Sequence, residues 1–319
     1  MNRHRGKGPV GMALCRSRRT FIRYGTERKR CMIGVVDVGG GMRGVYGAGI
    51  FDWCMDHGIS FDYLAGVSAG SANCAAYASG QRGRNYLFYH EYSFRREYMS
   101  MDLFLRTGSY LDLEYIYGSG LTNSDGENPL DFEAMLSSGK KMKIVATDAK
   151  TGEPVYYDMT DMSQDDYGAI KGSSCVPVAS KPYEWKGRLL FDGGISDPIP
   201  YDLALAAGCE KVVVILTRPK SFRRNARKDE LMSGLLARKY PEAARRLKER
   251  AYVYNHELNR ALELEKEGKL LILAPYSIGN MSTLTKDKEQ IDHMYRLGME
   301  DAQKIEGFFA EGAAAGCGG

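Results

Sequence analysis

Short β-branched runs alternate with longer helical stretches from Ile33 onward, and this alternation most constrains how the chain can fold. It is typical of an α/β sheet whose parallel strands are joined by helical crossovers. The apolar runs predict strands at residues 33–38, 63–65, 142–147, 153–159, 189–191, 211–217 and 270–274. The glycine loop at 39–44 and the small residues at 69–79 each predict the start of a helix, and a charged helical region is expected at about 231–266.

The two ends of the chain differ in composition from its body. Residues 1–30 hold ten Lys and Arg against the single acid Glu27, although the whole chain of 319 residues is only +4. The longest apolar run of this leader, near residues 10–14, is too short for a secretory signal. We expect a basic, disordered extension at residues 1–31, one α/β domain at 32–311, and a flexible Ala/Gly tail at 312–319.

Cysteine and histidine usage limits the possible cofactors and compartments. The seven cysteines are an odd number without Cys-x-x-Cys spacing, which predicts reduced thiols and a cytoplasmic location. No stretch approaches the ~18 apolar residues of a membrane span, so any membrane contact should be peripheral. The five histidines show no metal-ligand spacing, and we expect neither a metal nor an organic cofactor.

A Gly-x-Ser-x-Gly motif, Gly66 to Gly70 with Ser68 at its centre, lies between a predicted strand and a predicted helix. In a nucleophile elbow the serine occupies a strained turn, and glycines flank it because a Cβ there would collide with neighbouring backbone. The pattern is common by chance in a chain with 37 glycines. Its position between strand and helix favours a nucleophile.

A glycine loop follows the first predicted strand directly, with the sequence Gly-Gly-Gly-Met-Arg-Gly at 39–44. Successive backbone N–H groups at a helix start can bind negative charge, either a phosphate or a developing oxyanion. Three glycines could also simply tighten a turn.

An Asp-Gly-Gly sequence, Asp192 with Gly193 and Gly194, ends another short apolar run. An aspartate held there could accept the proton of a serine hydroxyl within hydrogen-bond reach. The same three residues also form ordinary turns.

In this order, the three segments resemble the patatin-like phospholipases over roughly residues 33–214. The resemblance implies a three-layer α/β/α sandwich with a mostly parallel central sheet. It implies that Ser68 is the nucleophile and Asp192 the general base of a Ser-Asp dyad, acting through an acyl-enzyme. It also implies an oxyanion hole formed by the backbone of Gly40, Gly41, Met42 and Arg43. The expected substrate is then an acyl ester of a phospholipid, lysophospholipid or related lipid.

Two other enzyme or cofactor-binding folds are alternatives. An α/β-hydrolase with a Ser-His-Asp triad would need a histidine after Asp192, and His256 and His293 are available. A Rossmann protein would use the glycine loop for a dinucleotide, with an acid such as Asp62 on the ribose. However, Asp62 precedes the predicted strand at 63–65 instead of following it, and this fold leaves Ser68 unexplained.

A basic segment between Arg218 and Arg250 contains twelve Lys and Arg against four acids. Such a segment could attract anionic lipid headgroups or nucleic acid, although charge runs are usually solvated faces. Because the resemblance implies an interfacial substrate, we expect peripheral contact with an anionic membrane and no nucleic-acid partner. The sequence does not predict the oligomeric state.

Overall fold

A single mixed sheet organises the computed structural model, which describes residues 31–315. The strands are β1 (Ile33–Asp37), β2 (Tyr63–Val67), β3 (Lys141–Asp148), β4 (Pro154–Asp158), β5 (Tyr183–Trp185), β6 (Arg188–Asp192), β7 (Lys211–Ile215) and β8 (Leu270–Leu273). Their order across the sheet is β5-β6-β3-β2-β1-β7-β8, and β4 pairs with β3 outside this path. Strands β3, β2, β1, β7 and β8 are parallel, whereas β4, β5 and β6 pair antiparallel.

Helices connect the strands and cover the sheet. They are α1 (Val45–Asp56), α2 (Ala69–Ala78), α3 (Arg84–His90), α4 (Met101–Thr107), α5 (Leu113–Tyr117), α6 (Phe132–Ser137), α7 (Gly168–Ser173), α8 (Tyr201–Ala206), α9 (Arg227–Leu236), α10 (Pro241–Lys266), α11 (Lys288–Ala302) and α12 (Lys304–Ala315). The region 231–266, predicted as helical, is divided between α9 and α10 by a break before Pro241.

Successive side chains of the central strands point to opposite faces of the sheet, so a core forms on each face. Val35 and Val213 pack with α1, α2 and α11 in the larger core. Val36 and Val214 point the other way and pack with α8 and the second half of α10. The predicted three-layer α/β/α sandwich with a mostly parallel sheet is therefore confirmed.

The parallel strands place their carboxyl ends at one edge of the sheet, and the loops leaving them carry the predicted motifs. The glycine loop follows β1, and Ser68 follows β2. Asp192 ends the antiparallel strand β6 and pairs there with Ala146 of β3. This topology positions the site, since crevices at the carboxyl ends of strands are where α/β sheets bind ligands.

The predicted domain limits can be compared with the structure only in part. Residues 1–30 of the predicted extension and residues 316–319 of the predicted tail lie outside the described residues. The terminal helix α12 ends at Ala315, so the predicted boundary at 312 falls inside it.

Candidate active site

A cavity of about 410 Å³ opens at the carboxyl edge of the sheet. Ser68, Asp192 and the loop residues Gly40, Gly41, Met42 and Arg43 all line it. Residues that lie far apart in sequence are thus brought into one chamber. Its remaining walls are largely apolar and aromatic side chains, supplied in part by the segments around α3 and α5.

Ser68 occupies the turn between β2 and α2 in a backbone conformation that non-glycine residues rarely adopt. Its φ is 56° and its ψ is −132°. Such a residue persists only where the surroundings hold it, and strained residues of this kind cluster at functional sites. Two hydrogen bonds fix the turn, because the Ser68 N–H donates to Ser173 Oγ (2.8 Å) and the Ser68 carbonyl accepts from Ser71 N–H (2.9 Å).

The glycines on either side of Ser68 have a steric explanation. A Cβ at Gly66 would lie 2.4 Å from Ser71 Cα, and one at Gly70 would lie 2.2 Å from the carbonyl oxygen of Asp37. Both contacts are with backbone, which cannot move without displacing α2 or β1. The elbow therefore requires glycine at both positions.

Asp192 is held at the end of β6 by hydrogen bonds to its backbone and to its carboxylate. Its N–H donates to the Cys175 carbonyl (2.8 Å), its carbonyl accepts from Thr147 Oγ1 (2.9 Å), and its Oδ1 accepts from Gly194 N–H (2.8 Å). Gly193 is required here, because a Cβ would lie 2.2 Å from the Val145 carbonyl oxygen. The carboxylate is thereby fixed beside the cavity.

The carboxylate of Asp192 is buried, with 8% of the residue exposed. Burial raises its pKa above the usual value of 3.8, while the positive charge of Arg250, the nearby Ser68 side chain and the Gly194 amide oppose this rise. Ser68 and Asp192 therefore line one cavity, although they follow different strands, β2 and β6. A carboxylate within hydrogen-bond reach of a serine hydroxyl can accept its proton.

The glycine loop presents backbone amides to the same cavity. Gly39, Gly40 and Gly41 have φ of 63°, 124° and 60°, values that residues other than glycine rarely adopt. Among the described residues, no acceptor takes the N–H of Gly40 or Gly41. These two amides are the donors that the loop leaves available to a ligand.

Met42 differs from the prediction in one respect. Its N–H donates to the carbonyl of Thr283 (2.9 Å), and Arg43 Nη1 donates to Thr283 Oγ1 (3.1 Å). The loop before α11 therefore occupies one of the predicted oxyanion donors in this conformation. The Arg43 side chain lies near the charges of Arg218, Arg224 and Arg250.

A buried polar pair locks the glycine loop onto α2. Asp37 Oδ1 accepts from Gly39 N–H (2.9 Å), and its Oδ2 accepts from Asn73 Nδ2 (2.8 Å). Asn73 Nδ2 also donates to the Gly44 carbonyl (2.9 Å). Burial raises the pKa of Asp37 to about 6, and both hydrogen bonds oppose the rise. This network preorganises the loop amides, and preorganised donors stabilise a developing negative charge without having to reorient.

Sequence reasoning missed several residues of the site. Ser173 positions the elbow, since its Oγ accepts from Ser68 N–H and donates to the Val145 carbonyl (2.6 Å). Asn73, Thr283 and Arg250 were missed because none belongs to a recognisable local motif.

The residues required by the two alternative folds lie elsewhere. None of the histidines within residues 31–315 lines the cavity, and His256 and His293 are exposed. Asp62 accepts from Ile33 N–H at the start of β1 and β2 (2.9 Å), the end of the sheet opposite the glycine loop. Neither a serine-histidine triad nor a dinucleotide site is assembled among these residues.

Three further features concern cofactors and membranes. Within the described part of the chain, no group of three or more His, Cys, Asp or Glu is arranged to hold a metal ion. The five cysteines described there are free thiols. No helix in residues 31–315 is both long and apolar enough to cross a bilayer.

Comparison with known proteins gives two family matches and several relatives. The relatives include "Uncharacterized protein YjjU" of Escherichia coli (strain K12), 33% identical over 193 residues, and "Uncharacterized NTE family protein Rv1063c" of Mycobacterium tuberculosis (strain ATCC 25618 / H37Rv), 41% identical over 56 residues. The first match covers 60% of this chain and 53% of the relative, and the second covers 18% and 14%. The chain thus spans about half the length of the first relative and a smaller share of the second. VipD from Legionella pneumophila superposes with a TM-score of 0.44 at 14% identity, covering 86% of this chain and 66% of VipD.

The family matches divide the chain into two parts. Residues 240–306, which include α10, β8 and α11, match a domain of unknown function, DUF6363. Residues 38–205, more than half of the chain, match the patatin-like phospholipase model and contain the glycine loop, the serine elbow and the Asp-Gly-Gly corner. The chain therefore belongs to the patatin-like phospholipase family.

Proposed function

We propose that the protein is a lipid acyl hydrolase that cleaves carboxylic esters of phospholipids, lysophospholipids or related lipids through a Ser68–Asp192 dyad. The observation that carries the proposal is that Ser68, in its strained elbow, and the buried Asp192 line one cavity beside the two available amides of the glycine loop. The apolar walls of the cavity suit an acyl chain. Membership of the patatin-like family supports the same reaction class.

The reaction follows from this arrangement. Asp192 takes the Ser68 proton as the oxygen attacks the ester carbonyl, and the resulting oxyanion accepts hydrogen bonds from the Gly40 and Gly41 amides. The N-terminus of α2 adds a favourable field at the serine. Collapse expels the alcohol, which takes the proton from Asp192 and leaves an acyl-Ser68 ester. Water, deprotonated by Asp192, then releases the fatty acid and restores the hydroxyl.

Release of Thr283 would complete the donor set. While its carbonyl accepts from Met42 N–H, the hole has only the amides of Gly40 and Gly41. Displacement of the loop before α11 would add the Met42 amide, and the loss of one such donor in a characterised hydrolase costs ~10²–10³ in rate. We infer that the predicted Met42 contribution requires this movement.

An activity-based label tests nucleophilicity at the named atom. We expect a fluorophosphonate probe to modify the protein stoichiometrically, with the adduct on the peptide containing Ser68, and to stop hydrolysis of p-nitrophenyl octanoate in parallel. Mass-spectrometric mapping locates the adduct. A label on another residue, or full hydrolysis after complete labelling, would contradict the dyad.

We also propose that the enzyme works at an anionic membrane surface. Helix α9 contributes Met232 and Lys228 to the cavity wall, yet it exposes Leu231 (73%) and Leu235 (67%), which are four residues apart and hence on one face. Exposed cations lie on both sides of these leucines in the sequence, at positions 227, 228, 238 and 239, together with one exposed acid, Glu230. Apolar residues framed by cations are typical of a helix that lies in a lipid interface.

Vesicle binding checks this surface. Replacing both Leu231 and Leu235 with serine should weaken binding to phosphatidylglycerol-containing vesicles about tenfold, because two partly exposed leucines no longer enter the interface. Sedimentation at two salt concentrations measures both the apolar and the electrostatic parts. Leu136→Ser on α6, which is 41% exposed and away from the cavity, is the matched control. Equal losses in both proteins would contradict a specific docking face.

A further inference from the structure

Four arginines converge on one end of the cavity, and the proposed ester hydrolysis does not need all of them. Arg43 follows the glycine loop, Arg218 and Arg224 lie between β7 and α9, and Arg250 lies on α10; all four line the cavity. We call them the arginine cluster. Three of its members come from outside the segment that matches the patatin-like model.

Two members of the arginine cluster, the buried Arg43 and the partly buried Arg250, each have a buried Nε donor without an acceptor among the described residues. Arg43 is only 7% exposed, and its Nε has no partner. The Nε of Arg250 is also unpartnered, and its ion pair with Asp229 is long, at 3.9 Å. Buried guanidinium donors that lack acceptors cost free energy, so their retention indicates a ligand that supplies acceptors.

The four charges also repel one another. Burial lowers the pKa of Arg43 to about 10, and Arg218, Arg224 and Arg250 add to this effect. Burial likewise lowers the pKa of Arg250 to about 10, with a further contribution from Arg224. A bound anion would therefore reduce the repulsion between these arginines.

Among the residues that the structure describes, two carboxylates line the cavity, those of Asp192 and Asp229. Asp229 pairs with Arg224, with oxygen-to-nitrogen distances of 2.6 and 2.9 Å, and Asp192 is attracted by Arg250. Four guanidinium groups thus face two carboxylates, and Lys228 on α9 also lines the cavity, so positive charge is in excess. A dianionic phosphomonoester offsets most of that excess and offers the oxygen acceptors that arginine forks prefer.

The rest of the cavity is suited to an acyl chain. Its apolar lining includes Phe88, Tyr98, Met99, Leu111 and Ile116. An ester carbonyl placed at Ser68, with its chain against these side chains, leaves the headgroup free to reach the arginine cluster. Both regions belong to the same chamber of about 410 Å³.

We propose that the arginine cluster binds the phosphate of a lipid headgroup, so that the substrate is an anionic phosphomonoester lipid of the lysophosphatidate type. This inference rests on the proposed lipid hydrolase function. It names the headgroup end of that same site. A quaternary ammonium headgroup would be disfavoured there by the excess positive charge.

Competing substrates test the proposal. We expect wild-type kcat/KM for 1-oleoyl lysophosphatidate to exceed that for 1-oleoyl lysophosphatidylcholine at least tenfold. In Arg218→Gln and Arg250→Gln, the ratio of kcat/KM for lysophosphatidate to that for p-nitrophenyl octanoate should fall ~10- to 100-fold, as expected for the loss of a charged hydrogen bond. An unchanged ratio in both variants overturns the proposal.

The control is another arginine of α10. Arg245 is exposed and paired with Glu242 (3.0 Å) and Glu249 (2.8 Å), so Arg245→Gln should leave the ratio within twofold of wild type. Thermal melts followed by circular dichroism show whether each variant folds. Because removal of one like charge relieves repulsion, we expect no loss of stability from Arg250→Gln. A parallel fall of the ratio in Arg245→Gln would assign the effect to general surface charge and overturn the site.

Direct binding separates this inference from the hydrolase function. In Ser68→Ala, calorimetric titration should show lysophosphatidate binding at least tenfold more tightly than glycerol 3-phosphate, since only the lipid fills the apolar walls. Arg250→Gln in the same background should weaken both ligands. Equal affinity for the two ligands would overturn a lipid headgroup as the source of the phosphate. Phosphate binding without hydrolysis of any ester would support the arginine cluster while refuting the hydrolase.

Discussion

Ser68→Ala should abolish ester hydrolysis, lowering kcat for p-nitrophenyl octanoate on the order of 10⁴-fold or more. The substitution removes the only atom that forms the covalent bond in the proposed reaction, and what remains is the modest rate enhancement of binding and the loop amides. Alanine keeps the Cβ that the elbow already accommodates. The backbone bonds from Ser68 to Ser173 and Ser71 do not involve the hydroxyl.

The measurement is a spectrophotometric assay beside a thermal melt. Ser137→Ala, which changes an exposed serine at the end of α6, is the matched control and should retain wild-type activity. A Ser68→Ala protein that folds normally and keeps even a tenth of the activity would show that another residue is the nucleophile.

The sequence was sufficient to predict most of the sheet and the three motif segments that line the cavity, because both depend on local patterns. Buried parallel strands read as continuous apolar runs, and all seven predicted runs form strands. Gly66 and Gly70 reflect contacts with backbone within the same βα unit or in the adjacent strand β1. Such constraints are visible as motifs because no other residue type fits.

The helices between α2 and β3 and the short strand β5 were not predicted. Helices α3 to α6 span only five to seven residues each, which is too short for a clear helical period. They form much of the apolar cavity wall with residues such as Phe88 and Ile116. Their position depends on tertiary packing and not on a local pattern.

The arginine cluster illustrates a second limit of sequence reasoning. The composition of the segment 218–250 predicts a basic surface for contact with anionic lipid, without distinguishing one arginine from another. In the structure Arg224 is instead ion-paired with the buried Asp229, and Arg250 faces the cavity from α10. Which charges point inward is decided by the folding of α9 against α10, which composition does not reveal.

Asp192→Asn is the second substitution with a large expected effect, a fall of kcat by about 10³-fold. An asparagine is nearly isosteric, and its Oδ1 can still accept from Gly194 N–H, so the corner after β6 should keep its shape. It cannot, however, take the proton of Ser68 or of the hydrolytic water. General-base catalysis by a positioned side chain contributes ~10²–10⁴-fold.

The pH profile identifies the lost group in the same experiment. In the wild type, kcat/KM should fall as the pH decreases through the pKa of Asp192, because the protonated carboxyl cannot accept a proton. Burial raises this pKa above 3.8, so the fall should begin at a higher pH than for an exposed aspartate. The residual activity of Asp192→Asn should not show this decrease at low pH. His256→Ala, on the exposed face of α10, should retain both the wild-type rate and the decrease of kcat/KM at low pH. A loss of activity in His256→Ala as large as that in Ser68→Ala would instead favour a serine-histidine triad.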